Sequence, residues 1–275
     1  MFDIAFESTN GKRELAWQTS WGLTTRTIGV MIMTHADNFG LVLPPKVAPI
    51  QVIIIPIVYA DDKSKKESNV ISQANSIHRD LTGVGIRCRI DDRSLYTPGW
   101  KYAHWELKGI SLRLEIGPKD MASETCQIHR RDLRDKTKAI ILKWSELTNQ
   151  IPQLLKQMQK EMYDRAKREI DSRRLKISNW NEFMSAINKR NTVLAPHCQN
   201  AECEKQIKKR SGDESKEETT DITTEAEAQN EVGEKLTGAA KSLCMPFGAE
   251  NPPPGMKCVN CDKQAVNFTL FGRSY

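Results

Sequence analysis

Gln51–Val58, QVIIIPIV, is an apolar run dominated by isoleucine and valine. It has no alternating polar face, so it predicts a strand covered on both sides. A polar break at Asp61–Ser68 precedes a helix over Val70–Leu81, closed by Thr82-Gly83, and Gly85–Asp91 reads as a second strand. Pro98–Lys108 suits a short helix with proline in its first turn and Gly109 beyond its end. Ser111–Ile116 and Thr125–Arg130 supply two more strands. Strands alternating with helices over about a hundred residues predict a three-layer α/β domain.

Upstream, Phe2, Ile4 and Phe6 alternate with Asp3 and Ala5, the period of a half-buried strand. Asn10–Glu14, NGKRE, is a turn signal before a strand at Leu15–Trp21, and Thr24–Thr34 reads as a buried helix with Ile28, Met31 and Ile32 at core spacing. Two strands and a helix cannot close a core, so this segment predicts the edge of a larger sheet. In Thr19–Ile28, TSWGLTTRTI, a strand meets Gly22, turns and opens a helix that carries Arg26. Glycine lets the backbone approach a ligand and arginine cannot lose its charge, a pattern suited to polyphosphate.

Downstream, Asp135 to about Arg174 has a helical pattern that Pro152 should kink or restart. Leu154, Leu155, Met158, Met162, Ala166 and Ile170 form its apolar stripe, and Lys156, Lys160, Arg165, Lys167, Arg168, Arg173 and Arg174 its basic face. That face reads either as a solvated surface or as a strip facing nucleic acid. Residues 211 to about 238 are polar, acidic and poor in large apolar groups, so a disordered insertion is expected there.

The chain has 7 cysteines. Cys198 with Cys203 (C-x4-C) and Cys258 with Cys261 (C-x2-C) match the ligands of a closed tetrahedral zinc site, which stabilises a fold without catalysing. The competing reading is four unrelated surface thiols. Cys88 and Cys126 suit strand cores, and Cys244 suits packing.

Charged residues make up 28% and apolar ones 39% of the 275 residues, ordinary values for a chain with a core. No apolar run reaches the ~20 residues of a membrane helix, and the N-terminus reads neither as a signal peptide nor as a transit sequence. No membrane partner and a cytoplasmic location are therefore expected. A net charge of +6 allows a polyanionic partner without naming it.

Ser20–Pro45, SWGLTTRTIGVMIMTHADNFGLVLPP, resembles motif 3 and the following strand of class II prolyl-tRNA synthetases of the eukaryotic and archaeal type. Tyr96–Met121, YTPGWKYAHWELKGISLRLEIGPKDM, is similar to that family's anticodon-binding domain. KSLCMPF at Lys241–Phe247 and TLFGRSY at Thr269–Tyr275 are similar to its zinc-containing C-terminal domain. The resemblance implies three parts: residues 1–48 as the remnant of an antiparallel catalytic sheet, 49–150 as an α/β anticodon-binding domain, and 151–275 as a small α+β zinc-binding domain.

It implies roles position by position. Arg26 resembles the motif 3 arginine that meets ATP phosphate, with Thr24 as an ATP contact beside it, and Ser20, Trp21 and Gly22 resemble the floor of the proline pocket. Cys198, Cys203, Cys258 and Cys261 correspond to the zinc pairs; Asn260 stands where some members have a ligand. Arg93, Lys101, Glu106 and Lys119 are candidates for tRNA contact. Tyr275 resembles a terminal tyrosine whose carboxylate can point to the catalytic site. Ala36 replaces a usual glycine, at a cost of roughly 1 kcal/mol if the position needs positive φ.

The implied activity is proline–tRNA ligation with ATP, Mg²⁺, proline and tRNA-Pro, by a homodimer formed through catalytic parts that precede this chain. Alone, residues 1–275 are expected to be inactive, and Met1 to be an internal codon. Two alternatives are a non-catalytic tRNA-binding module and a scaffold subunit of a multi-synthetase complex, such as the tail of a fused glutamyl-prolyl-tRNA synthetase.

Overall fold

The computed structural model of the chain describes residues 3–58, 65–133, 139–220 and 238–273. The chain divides into two compact units between Asp164 and Arg165.

The first unit opens with a hairpin of β1 (Ala5–Glu7) and β2 (Arg13–Leu15), paired antiparallel with Ala5 opposite Leu15. Regular pairing stops at Leu15, short of the strand expected to reach Trp21. Helix α1 (Arg26–His35) forms where expected, yet none of its residues is buried, and Ile28 is 57% exposed. The apolar spacing makes the helix amphipathic, but no second layer among the described residues receives its face. Ala36 sits at φ −68° and ψ 160°, ordinary extended backbone, so the expected strain there is absent.

The main sheet has five strands in the order β4-β3-β5-β6-β7. They are β3 (Val52–Pro56), β4 (Cys88–Ile90), β5 (Leu112–Ile116), β6 (Thr125–Arg130) and β7 (Ile140–Lys143). β3 runs parallel to β4 and β5, while β6 and β7 are antiparallel. Each face of β3 meets its own core. Val52 and Ile54 pack with Val70, Ala74, Ile77 and Leu81 of α2 (Lys65–Gly83) and with α5 (Leu147–Ser172), whereas Ile53 and Ile55 pack with Trp105 of α3 (Pro98–Leu107). Helices on both faces explain why the β3 run has no polar alternate. α3 is capped by Thr97, whose hydroxyl accepts from the Trp100 amide, with Pro98 in the first turn. A short helix, α4 (Pro118–Ser123), joins β5 to β6.

Two glycines let the linker after α1 cross the end of α3. Gly40 (φ +129°) and Gly109 (φ +72°) would each place a Cβ 2.7 Å from backbone, of Leu107 and Leu41 respectively. The Leu41 and Leu43 amides donate to the carbonyls of Leu107 and Gly109.

The helical pattern expected from Asp135 does not begin there. Residues 140–143 form β7, and α5 starts at Leu147 and continues unbroken through Pro152. Proline removes the donor for the Thr148 carbonyl one turn back, on a half-exposed turn near the helix start that water can reach. Leu147, Ile151, Leu155, Met158 and Met162 are buried in the first core, while Ile170 is exposed.

In the second unit the sheet order is β10-β11-β9-β8. β8 (Arg174–Lys176) is parallel to β9 (Thr192–His197), with α6 (Trp180–Asn188) as crossover, and β11 (Asn267–Arg273) is antiparallel to β9 and to β10 (Ala240–Cys244). Helix α7 (Ala201–Thr220) covers the start of the segment expected to be disordered. Ser211 and Ser215 are buried, and the Ala240 amide donates to Ser211 Oγ at 2.9 Å. Small hydroxyls can pack against a strand and satisfy its backbone, which composition alone does not reveal. Residues 221–237 of that expectation lie outside the described residues.

Candidate functional site

Because β3, β4 and β5 are parallel, the segments leaving β4 and β5 emerge at one carboxyl edge, on opposite sides of β3. Such a topological switch is where open α/β sheets take ligands. Asp91 follows β4 there with its side chain 1% exposed. Its carboxylate accepts from Arg93 Nε at 2.8 Å and Nη2 at 2.7 Å, and from the Trp105 indole at 2.7 Å; Lys101 Nζ donates to its backbone oxygen at 3.0 Å. Burial alone would raise the Asp91 pKa, but Arg93, Trp105 and the Lys101 charge outweigh it and hold it down to about 2. Burial pushes Lys101 below its ordinary value. The Arg93 guanidinium lies 4.9 Å from the Tyr96 ring and 5.2 Å from that of Trp100, which stack at 3.9 Å. Lys119 is exposed in α4 beyond β5. Arg93, Lys101 and Lys119 thus share the carboxyl edge.

Glu106 does not. It lies in the last turn of α3, toward the opposite edge, and lines a cavity of about 260 Å³ on the sheet face beside that helix. Ile53 and Ile110 contribute apolar lining, Tyr102 and Trp105 aromatic surface, and Arg113 and His129 the polar wall. Buried Glu115 organises that wall: Tyr102 Oη donates to it at 2.8 Å, Arg113 Nε at 2.7 Å, and His129 Nε2 lies 3.4 Å away. Arg113 also sits 4.1 Å from the Tyr102 ring centre. Burial, then the Arg113 charge, lowers the His129 pKa despite Glu115. Tyr102, Arg113, Glu115 and His129 were not singled out from sequence. One signal was there: Arg113 and Glu115 interrupt Leu112, Leu114 and Ile116 at the strand period, in a strand otherwise buried on both faces.

Ser20, Trp21, Gly22, Thr24 and Arg26 are all exposed, with Trp21 95% accessible. Arg26 is the first residue of α1. The described residues do not enclose these five in a pocket wall, because the hairpin and α1 have no covering layer. Tyr275 lies outside the described residues.

In the second unit all four paired cysteines converge. Cys203 Sγ lies 3.7 Å from that of Cys258 and 3.6 Å from that of Cys261, and Cys261 lies 3.7 Å from Cys198. Four thiolates at about 2.3 Å from one ion in a tetrahedron stand about 3.8 Å apart, so the spacing fits a zinc-sized ion. The loop carrying Cys258 and Cys261 is held against β9 by the Val259 amide, which donates to the Pro196 carbonyl. Burial would raise the Cys258 thiol, but the amides of Asn260, Cys198 and Cys261 point at its sulfur and lower it instead. Asn260 is a neighbour, its amide donating to Cys203 Sγ at 3.6 Å. Geometry also offers a second quartet: His197, Cys198, Cys203 and Cys258 have ligand atoms within 4.8 Å of one another.

Residues 51–154 match the family model described as an anticodon binding domain, and residues 180–275 match the one described as prolyl-tRNA synthetase, C-terminal. The chain carries the anticodon-binding and C-terminal domains of the prolyl-tRNA synthetases. A proline–tRNA ligase of Encephalitozoon cuniculi is 41% identical over 278 residues, covering 100% of this chain and 52% of that protein. A bifunctional glutamate/proline–tRNA ligase of Drosophila melanogaster is 40% identical, covering 100% of this chain but 15% of that protein. Among solved structures, the prolyl-tRNA synthetase of Cryptosporidium parvum, complexed with L-proline and AMP, matches 98% of this chain and 50% of its own, with a TM-score of 0.80 and 41% identity. The chain therefore spans about half the length, or less, of these synthetase relatives. No helix among its described residues is long and apolar enough to cross a membrane.

Proposed function

We propose that this chain is the tRNA-binding and C-terminal portion of a cytoplasmic proline–tRNA ligase, and that the cavity beside α3 receives an unpaired base of the tRNA-Pro anticodon. The cavity carries the reading. It sets Tyr102 and Trp105 beside Glu106 and Arg113. Unpaired RNA bases are taken by stacking together with hydrogen bonds to their edges. A carboxylate that accepts and a guanidinium that donates are complementary to a guanine, whose Watson–Crick edge presents N–H donors beside an oxygen acceptor. Arg93 and Lys119 at the carboxyl edge would meet the neighbouring backbone, the exposed Lys119 most directly, while buried Lys101 would act through its bond to the Asp91 carbonyl.

The chain would divide into a catalytic remnant at 1–48, the anticodon-binding domain at 49–150 and the C-terminal domain at 151–275. In the complete enzyme, the proline carboxylate would attack the α-phosphate of ATP with loss of pyrophosphate, and the tRNA hydroxyl would then take the prolyl group from the adenylate with release of AMP. Arg26 would neutralise charge on the phosphates beside Thr24, with Mg²⁺ as further counter-charge. Ser20, Trp21 and Gly22 would floor the proline pocket, and the Tyr275 carboxylate would reach that site. Exposed Trp17, Trp21, Leu23, Ile28, Val30 and Met33 favour this reading over a free-standing RNA module, because a further catalytic sheet would cover them. Homodimerisation would use that same catalytic part, and a fused multi-synthetase form is the alternative assembly. Cys198, Cys203, Cys258 and Cys261 would hold zinc with no open position, so the ion would staple the C-terminal unit.

Binding of a tRNA-Pro transcript to the chain tests this, beside transcripts with each anticodon base replaced. Tight binding that drops at least tenfold when an anticodon guanine is changed, and loses that preference in Glu106→Ala and Arg113→Ala, is expected. Salt-sensitive binding indifferent to the anticodon would overturn it.

A further inference from the structure

His197 ends β9 beside the cysteine cluster, 3% exposed, and its Nε2 is buried without a hydrogen-bond partner among the described residues. A buried polar nitrogen left without a partner calls for an explanation. Here a specific one is at hand. One ring nitrogen lies within 4.8 Å of the thiols of Cys198, Cys203 and Cys258, which are themselves mutually within that distance. A tetrahedral site of three thiolates and one imidazole has nitrogen–sulfur edges of roughly 3.6 Å, so the ring would need to travel on the order of 1 Å. The ring stands edge-on to Phe271 at 5.7 Å, in the core of the unit.

Three cysteines belong to both quartets, and the fourth place can go to Cys261 or to His197. The two candidates differ in position. Cys261 is half-buried in a loop beside exposed Asp262 and Lys263, while His197 is locked in a strand. We propose that His197 is a reserve ligand, forming a Cys3His set with Cys198, Cys203 and Cys258 that keeps the ion when Cys261 is withdrawn from it. This rests on the reading that the four thiols bind metal. Zinc accepts both ligand sets in closed structural sites. The competing account is that Nε2 serves a water in the adjoining cavity of about 170 Å³, which His197 lines with Glu204 and Thr269.

Cobalt(II) titration of the full chain separates these accounts through absorption spectra. The unsubstituted chain should bind one ion with the charge-transfer intensity of four thiolates. Cys261→Ala and the volume-preserving Cys261→Ser should still bind one ion, with weaker thiolate charge transfer and ligand-field bands moved to shorter wavelength. Adding His197→Ala to either should weaken binding by roughly 10–100-fold or more. The proposal is overturned if both single variants fail to hold the ion, or if they bind it equally well with and without His197. Absence of binding by the unsubstituted chain would instead remove the metal reading itself.

Discussion

The Trp105 indole donates to the buried Asp91 carboxylate at 2.7 Å, tying the last turn of α3 to the residue that follows β4. Arg93 completes the arrangement by taking both carboxylate oxygens, and its guanidinium lies over the rings of Tyr96 and Trp100. Arg93 and Lys101 at the carboxyl edge of the sheet are therefore both positioned by Asp91. Asp91→Asn keeps the shape but removes the charge, so it should lower stability by about 2–3 kcal/mol. Denaturant unfolding followed by tryptophan fluorescence reads this directly, and an unchanged midpoint would show that the pair contributes little.

The same carboxylate sets an acid limb. Its folded pKa of about 2 lies below the unfolded value, so the ionised form is favoured by folding. That contribution is complete above the unfolded pKa of about 3.9 and is lost as pH falls towards 2, about 2.5 kcal/mol in all. Asp91→Asn should flatten this part of the stability–pH curve. Equal slopes in both proteins between pH 4 and 2 would assign the acid limb to other groups.

Arg131 holds Asp37 by two bonds of 2.7 Å and donates to the Glu106 carbonyl at 3.0 Å. The linker after α1 is thus fastened next to the cavity. Arg131→Ala should open that linker locally by about 2 kcal/mol. Limited proteolysis should then cut between α1 and β3 markedly faster; cleavage at the original rate would mean that the Leu41 and Leu43 backbone bonds suffice.

Gly109 permits a contact that no other residue type can make. A Cβ there would meet Leu41 at 2.7 Å and face φ +72°. Gly109→Ala should cost at least about 2 kcal/mol, while alanine at Gly85, where φ is +81° but space is open, should cost only about 1. Comparable losses at the two sites would argue that conformation, and not the crossing of the linker, sets the penalty.

Chelation should act on the second unit. If the four thiols hold zinc, a strong chelator should lower the melting temperature of that unit by at least about 10 °C and leave the Trp105 environment unchanged. Ser211→Ala gives a separate test of α7: it leaves the Ala240 amide without its acceptor, at about 1–2 kcal/mol.

Local chemistry was enough for β3 to β6 of the five-stranded sheet, but not for β7, which fell in a stretch with a helical pattern. A run without a polar face predicted β3, Pro98 in a first turn and Gly109 beyond the end marked α3, and the two cysteine spacings marked residues whose sulfurs converge. Tertiary structure decided what depends on neighbours distant in sequence. Pro152 lies inside α5 because burial of Leu147 to Met162 outweighs one lost backbone bond. Helix α7 runs through 211–220, with Ser211 buried against β10 and accepting from the Ala240 amide. Arg113, Glu115 and His129 become one wall only when β5 pairs with β6, and His197 joins the cysteine cluster only when β9, α7 and the Cys258 loop meet. Periodicity reports which face a residue occupies; what waits opposite that face is set by long-range packing.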